Sequence, residues 1–429
     1  MKILGNSKLV FFQSENYKYF VLFMLGLVAA INFIDRAIFS VLAVSIKDDL
    51  QLSDTQIGLV GGVGFALFYA IMGLPLARLA DKTNRITLLS LCLSFWSVAT
   101  AACGLVSSFW QLLIARVAVG AGEAGCFPAS FSVLSDYFKP SKRAFAIGLF
   151  YFAGFLGFTF GLAFTGALAE SIGWRLTFVV VGVPGILLAV LLKFLVKEPV
   201  RQQGEDPQDI SQDRLILIVK KLMKKRAYIH LVLGYTFFIF SSYAMMLWLP
   251  QFYNRVYGLD TSEIGLWFGM ALGLGLVTGS FGGALLSNKL IAHSRIWELR
   301  FPAFVSVMAF VVFSFVLLAP SLQLSLIACF FGGIASTAGL GPNFAAIQSL
   351  TEARHRATSS ALVLFVSAII GQGLGPTLAG VLSDVLDSSA VENPLKVSLL
   401  IIAVPFLFSA IHNYLGSKSF LGDLPDTKA

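Results

Sequence analysis

The chain has 429 residues, 57% of them hydrophobic and only 13% charged, with a mean hydropathy of +0.82. Soluble proteins carry about 25% charged residues, so this composition excludes a soluble domain and points to a membrane protein. The net charge of +8 would suit nucleic acid on a soluble domain. Here an excess of Lys and Arg in inside loops accounts for it, and no nucleic-acid partner is expected.

The apolar runs are about 20 residues long, the length of a membrane helix, and not the ~10 of a barrel strand. Cut at charged and turn-forming clusters, they give twelve spans: 18–46, 55–80, 86–106, 109–136, 142–169, 173–196, 227–257, 262–290, 299–319, 321–350, 356–386 and 394–416. The N-terminus carries Lys2, Lys8 and Lys18 without a clear cleavage site, so the first span is expected to remain in the protein. It carries Asp35 and Arg36 in an otherwise apolar run. The second opens on Ser53-Asp-Thr-Gln56, a capping-box pattern.

The fourth span holds Arg116-x3-Gly120-Ala-Gly122-Glu123-Ala-Gly125. Its G-x-G-x-x-G spelling is not a dinucleotide loop, which needs a preceding strand and a glycine-opened helix start. Inside a membrane span the glycines are expected to let the helix approach its neighbours. The run Gly154-x2-Gly157-x3-Gly161 in the fifth span reads the same way. After the sixth span comes the one long loop, 198–226. Its start is polar; its end sets Leu215, Ile218, Val219 and Leu222 on one helical face beside Lys220, Lys221, Lys224 and Lys225. That pattern predicts a basic interfacial helix on the anionic leaflet, with a solvated linker as the alternative.

In the second half, the seventh and tenth spans offer Tyr243 and Asn343 to a central cavity, and the eleventh offers Gln372. Helix packing is the competing reading for each. The four cysteines sit in apolar segments without metal-ligand spacing, so neither disulfide nor metal is implied, and no cofactor motif occurs. No Ser-His-Asp set or Walker sequence supports an enzyme.

With the N-terminus inside, inside loops and tails hold all the Lys and Arg except Lys47, Arg175, Arg255 and Lys396 outside, and Arg36 and Arg116 within spans. That asymmetry predicts both termini to be cytoplasmic. The absence of an N-x-S/T acceptor favours a bacterial plasma (inner) membrane.

The halves also repeat. A shift of 207 sets Ile57-Gly58-Leu59 on Ile264-Gly265-Leu266, and Ser53–Gln56 on the second capping box, Asp260-Thr-Ser-Glu263. It also sets Ala77-Arg-Leu-Ala-Asp81-Lys82 on Ala284-Leu-Leu-Ser-Asn288-Lys289. Two six-helix halves in parallel repeat mark one large transporter architecture. The predicted units are 1–197, the linker 198–226, and 227–429.

Ala77-Arg-Leu-Ala-Asp81-Lys-Thr-Asn84-Arg85 resembles the major facilitator loop Gly-x-Leu-Ala-Asp-Arg-x-Gly-Arg, with Ala77 and Asn84 where the family has glycine. The resemblance implies the major facilitator fold and a cytoplasmic gate at Asp81 and Arg85, the aspartate helping to latch the halves together. Asn32-Phe-Ile-Asp35-Arg36, the Arg116…Glu123 segment, Pro128-Ala-Ser130, Ser135-Asp136-Tyr-Phe, Gly173-Trp174-Arg175-x2-Phe178 and Glu198-Pro199 further resemble bacterial spinster-type transporters. The Asp-Arg and Arg…Glu pieces also resemble organic anion:cation symporters.

Four ionisable groups inside a bilayer, each costing about 2.5–3.5 kcal/mol at its centre, imply function or tight pairing. Arg36 and Arg116 and the acids Asp35 and Glu123 fall at depths where all four could line one cavity. Arginines keep their charge and suit phosphate or carboxylate, so Arg116 and Arg36 are the anion candidates. Carboxylates in a partly desolvated site can hold protons near neutrality, so Glu123, then Asp35, are the proton carriers. Two ion pairs that merely fix the first span against the fourth are the structural alternative.

The expected function is proton-coupled transport of an amphipathic anion by a monomer. The resemblance supplies a lysolipid or sphingolipid-like cargo; small hydrophilic anions such as sugar acids are the alternative.

Overall fold

The computed structural model describes residues 16–199, 215–352 and 355–424. Lys2, Lys8 and the polar start of the linker lie outside them. Among the described residues there is no strand. The membrane helices are α1 Tyr17–Leu50, α2 Asp54–Lys82, α3 Arg85–Cys103, α4 Phe109–Tyr137, α7 Arg226–Tyr257, α8 Thr261–His293, α9 Trp297–Leu318, α10 Leu322–Leu350, α11 Thr358–Ser388 and α12 Pro394–Ser419. The helical stretch Pro140–Leu195 turns at Gly173, whose φ of 78° breaks it into α5 before and α6 after. A backbone in lipid must satisfy its polar groups internally, which leaves helices as the form these runs can take.

Local chemistry starts and stops them. Ser53 accepts from the Gln56 N–H while Gln56 takes the Ser53 N–H, closing the capping box that opens α2. Asp260 and Glu263 do the same for α8. Asn84 caps α3 by accepting the Thr87 N–H at 2.8 Å. Gly258, at φ 69°, ends α7 in the left-handed conformation that glycine adopts without strain.

The helices form two six-helix halves. Within the first, α5 crosses α1 so closely that a Cβ on Gly157 would stand 2.6 Å from the Ala30 backbone. The turns α1–α2, α5–α6, α7–α8 and α11–α12 lie at one end of the bundle, the far end. The chain termini and the turns α2–α3, α4–α5 and α8–α9 lie at the other, the terminal end.

The buried core has a telling shape. At the far end one continuous cluster joins residues of both halves, from Phe39, Leu42 and Ile57 to Trp248, Phe252 and Phe268. At the terminal end it splits into two clusters, one per half, around Leu89, Leu93 and Phe150 and around Tyr228, Leu231 and Ile347. The halves are therefore sealed at the far end and part toward the terminal end.

The helix Leu215–Leu222 is present at the predicted place. It packs Ile218 and Leu222 into the second half's terminal-end cluster. Lys221 pairs with Glu352 at 2.5 Å and Lys225 donates to the Leu350 carbonyl at 2.8 Å. Part of the face predicted for the leaflet is thus spent on protein, while Leu217 and Met223 stay exposed.

Candidate functional site

Just beneath the far-end seal, a cavity of about 30 Å³ lies between the halves. The first half contributes Arg36, Phe39, Phe65 and Arg116; the second contributes Tyr243, Met246 and Gln372. Gln372 sits in a π-helical segment of α11, Ser367–Leu374, a local widening that recurs at functional sites.

Arg36 Nε donates to Glu123 Oε2 at 2.8 Å, joining α1 to α4; Glu123 is fully buried and Arg36 nearly so. The same guanidinium lies 4.8 Å from the Tyr69 ring centre and 5.2 Å from that of Phe65. Arg116 rests between Phe39 at 4.9 Å and Phe65 at 5.1 Å. Phe65 therefore serves two cations, a contact worth up to ~2 kcal/mol when desolvated. Its carbonyl also explains Gly120, where a Cβ would stand 2.4 Å from that oxygen. The glycine lets α4 bring Arg116 and Glu123 against α2.

The two arginines are not equivalent. Arg36 is ion-paired; Arg116 makes no direct ion pair among the described residues, and its Nε and Nη1 meet no protein acceptor although buried. A guanidinium is charged at any cellular pH. What Arg116 can do chemically is accept an anion arriving through the cavity.

Two predicted members stand apart from the rest. Asp35 is fully buried but does not line the cavity. Successive helix residues point about 100° apart, so Arg36 facing the cavity turns Asp35 toward Trp96 and Thr100 of α3. Neither of its oxygens has a protein donor at hydrogen-bond geometry. Glu123 reaches the cavity only through Arg36. The expectation that all four charges line one cavity is thus corrected to two.

Tyr243 lines the cavity as predicted. Asn343 does not: its amide donates to Gly339 in its own helix at 2.9 Å. The aromatic floor was missed, although Phe65 and Tyr69, four apart on one helical face and stacked at 5.8 Å, carried a visible spacing.

The predicted gate also divides. Arg85 is buried and gathers Asp136 at 2.5 Å and the Ser132 hydroxyl at 2.9 Å within the first half, and Glu198 at 2.6 Å from the first residue of the linker. Asp81 is exposed. A set of bonds that crosses between the halves lies at the far end, around Asp54. Its carboxylate takes both nitrogens of Arg255 at 2.6 and 2.7 Å and the Ser383 hydroxyl at 2.6 Å, with Lys47 of α1 beside it. Asp384 caps α2 from the other half, accepting the Asp54 and Thr55 N–H groups at 3.0 and 2.8 Å.

Twelve membrane helices in two halves, with a charged cavity between them, are the build of a membrane transporter. The Major Facilitator Superfamily model matches residues 25–376, and the chain belongs to that superfamily. It is 34% identical to an MFS-type efflux pump of Mycolicibacterium smegmatis, over 94% of this chain and 93% of the relative. It is 30% identical to a probable L-galactonate transporter of Escherichia coli, over 57% and 56%. Among solved structures, a bacterial homologue of the human lysosomal transporter Spinster, inward-facing and unoccupied, superimposes with a TM-score of 0.84 at 31% identity, over 96% of this chain and all of that one.

Proposed function

We propose that the protein is a proton-coupled secondary transporter of an amphipathic anion, a lysolipid or sphingolipid-like molecule, working by alternating access. The observation that carries this reading is Arg116: a buried cation without an acid, held between two phenylalanines at the meeting of the halves. The cargo's anionic group binds Arg116 and its apolar part lies along Phe39, Phe65 and Met246. Neutral hydrogen-bonding groups on the cavity wall are few, with Ser40, Tyr243 and Gln372 the ones present, which suits a greasy cargo better than a polyhydroxylated one. The spinster-type likeness points the same way.

Glu123 carries the coupling proton. Ionised, it holds Arg36; protonated, it releases that guanidinium to the cargo beside Arg116. Asp35 is the second carrier, placed deeper in the first half. The terminal end is cytoplasmic, a placement that the distribution of Lys and Arg supports, and the membrane is a bacterial inner membrane. The working units are the halves 1–197 and 227–429, joined by 198–226, and the transporter acts as a monomer. Asp81 latches to the second half when the terminal end closes, while Arg85 keeps α3, α4 and the end of α6 together throughout.

The runner-up cargo is a small sugar acid, favoured by the likeness to the L-galactonate transporter. Purified protein in liposomes under an imposed pH gradient, offered lysophospholipids and sugar acids in parallel, separates the two. Lysophospholipid flux that follows the gradient supports the reading. Flux of sugar acids alone replaces it with the runner-up, and no pH-linked flux of either class overturns both. In the same assay Glu123→Gln should abolish the response to the gradient while exchange persists, and Arg116→Ala should weaken cargo binding about tenfold or more.

A further inference from the structure

A second cavity, of about 720 Å³, opens on the flank of the second half between α8, α9 and α12. Its volume is in the range of small-molecule sites, ~300–1,000 Å³, and none of its lining residues comes from the first half. The walls are apolar and aromatic: Leu286, Trp297, Phe304, Val307, Ile411 and Tyr414. α9 and α12 pack tightly, with Ser306 and Ser409 bonded at 2.9 Å. α8 touches α9 only sparsely, and the groove is the space left between them.

Three cations lie on the terminal-end turns of the helices that wall it. Arg300, in the first turn of α9, lines the groove and is exposed. Lys289 is exposed near the end of α8, and Lys418, exposed in the last turn of α12, lies 5.0 Å over the Tyr414 ring. No ion pair neutralises any of the three among the described residues. The nearby acids are engaged elsewhere: Glu298 is turned inward onto Arg295 at 3.1 Å, and Asp423 accepts the Ala227 N–H at 2.7 Å. All three cations sit at the terminal end of their helices. From Arg300 the groove follows α9 through Phe304 to Val307, seven residues or ~10 Å deeper along the helix.

We propose that this groove is a binding site for one anionic diacyl phospholipid of the leaflet at the terminal end. Arg300, Lys289 and Lys418 hold the phosphate, and an acyl chain lies in the groove against Phe304, Val307 and Ile411. Ordinary bilayer contact needs neither a concavity nor an uncompensated cation cluster. Basic pockets between membrane helices recognise anionic headgroups, and a zwitterionic lipid would bring its own cation against three others. The site stands apart from the central cavity and does not depend on the cargo assigned there.

The test uses the full chain in nanodiscs of phosphatidylcholine with a rising share of phosphatidylglycerol, read by thermal unfolding, and native mass spectrometry to count retained lipid. Phosphatidylglycerol should raise the melting temperature and stay bound at one per chain. The triple variant Arg300→Gln, Lys289→Gln, Lys418→Gln, all at exposed positions, should lose at least tenfold in retention of phosphatidylglycerol over phosphatidylcholine. Val307→Trp, which fills the exposed groove and keeps every charge, should lose it as well. Retention unchanged in the triple variant overturns the headgroup seat, and retention unchanged in Val307→Trp overturns the acyl seat. Equal stabilisation by inorganic phosphate alone overturns the lipid.

Discussion

The two ends of the bundle hold networks of similar make-up that do opposite jobs. At the far end, Asp54 bonds across the halves to Arg255 and Ser383, and Asp384 answers by capping α2. At the terminal end, Arg85 collects two acids and a hydroxyl, all from its own half and the first residue of the linker that follows it. One network holds the halves together and the other holds a half intact. A buried ion pair is weak evidence for net stability, but losing one partner is costly. What each network contributes therefore depends on which bodies it joins.

That contrast can be broken first at Asp54. Asp54→Ala leaves Arg255 without its acid and should cost about 3 kcal/mol of far-end closure, on the order of 150-fold in the closed-to-open ratio. Thiol labelling of Ser40→Cys from the far side reads it, since the native cysteines are all buried; labelling no faster than in the parent would remove Asp54 from the seal. Arg85→Gln should cost ~2 kcal/mol of overall stability, discounted because Asp136 and Glu198 are partly exposed. It should lower the melting temperature without changing Ser40→Cys labelling; faster labelling would make Arg85 part of the gate between halves.

Between the ends, Gly120→Ala should cost about 1–2 kcal/mol by forcing α4 off the Phe65 carbonyl. Because Phe65 also packs both arginines, cargo binding should weaken along with the melting temperature. A lower melting temperature with unchanged binding would separate the packing from the site. The smallest effect belongs to Lys221→Gln. Its exposed pair with Glu352 should be worth less than ~1 kcal/mol, and a larger drop would mean that the Leu215–Leu222 helix bears on the second half through charge and not through Ile218 and Leu222.

The halves differ as much as the ends. Repeat symmetry sets them on one architecture, yet the four charges within spans all belong to α1 and α4, and the second half answers the cavity with Tyr243, Met246 and Gln372. The likeness of fold says nothing of this asymmetry, and the residue types say it at once. The gate shows the reverse case. The Asp81…Arg85 spacing marked the loop correctly, but the partners of Arg85 lie 47, 51 and 113 positions away, where no local pattern reaches.

Sequence alone determined the number of spans, their limits to within a few residues, both capping boxes and the placement of four charges in two helices. Each of these follows from local physics: apolar length against bilayer thickness, and side chains meeting backbone three residues on. The tertiary structure alone decided that Glu123 takes Arg36 and leaves Arg116 free, that Asp35 turns from the cavity, and that Asp54 seals the far end. Those outcomes depend on how each helix is rotated about its axis and which helix it meets. A rotation of one residue, about 100°, is enough to move a charge from a cavity into a core.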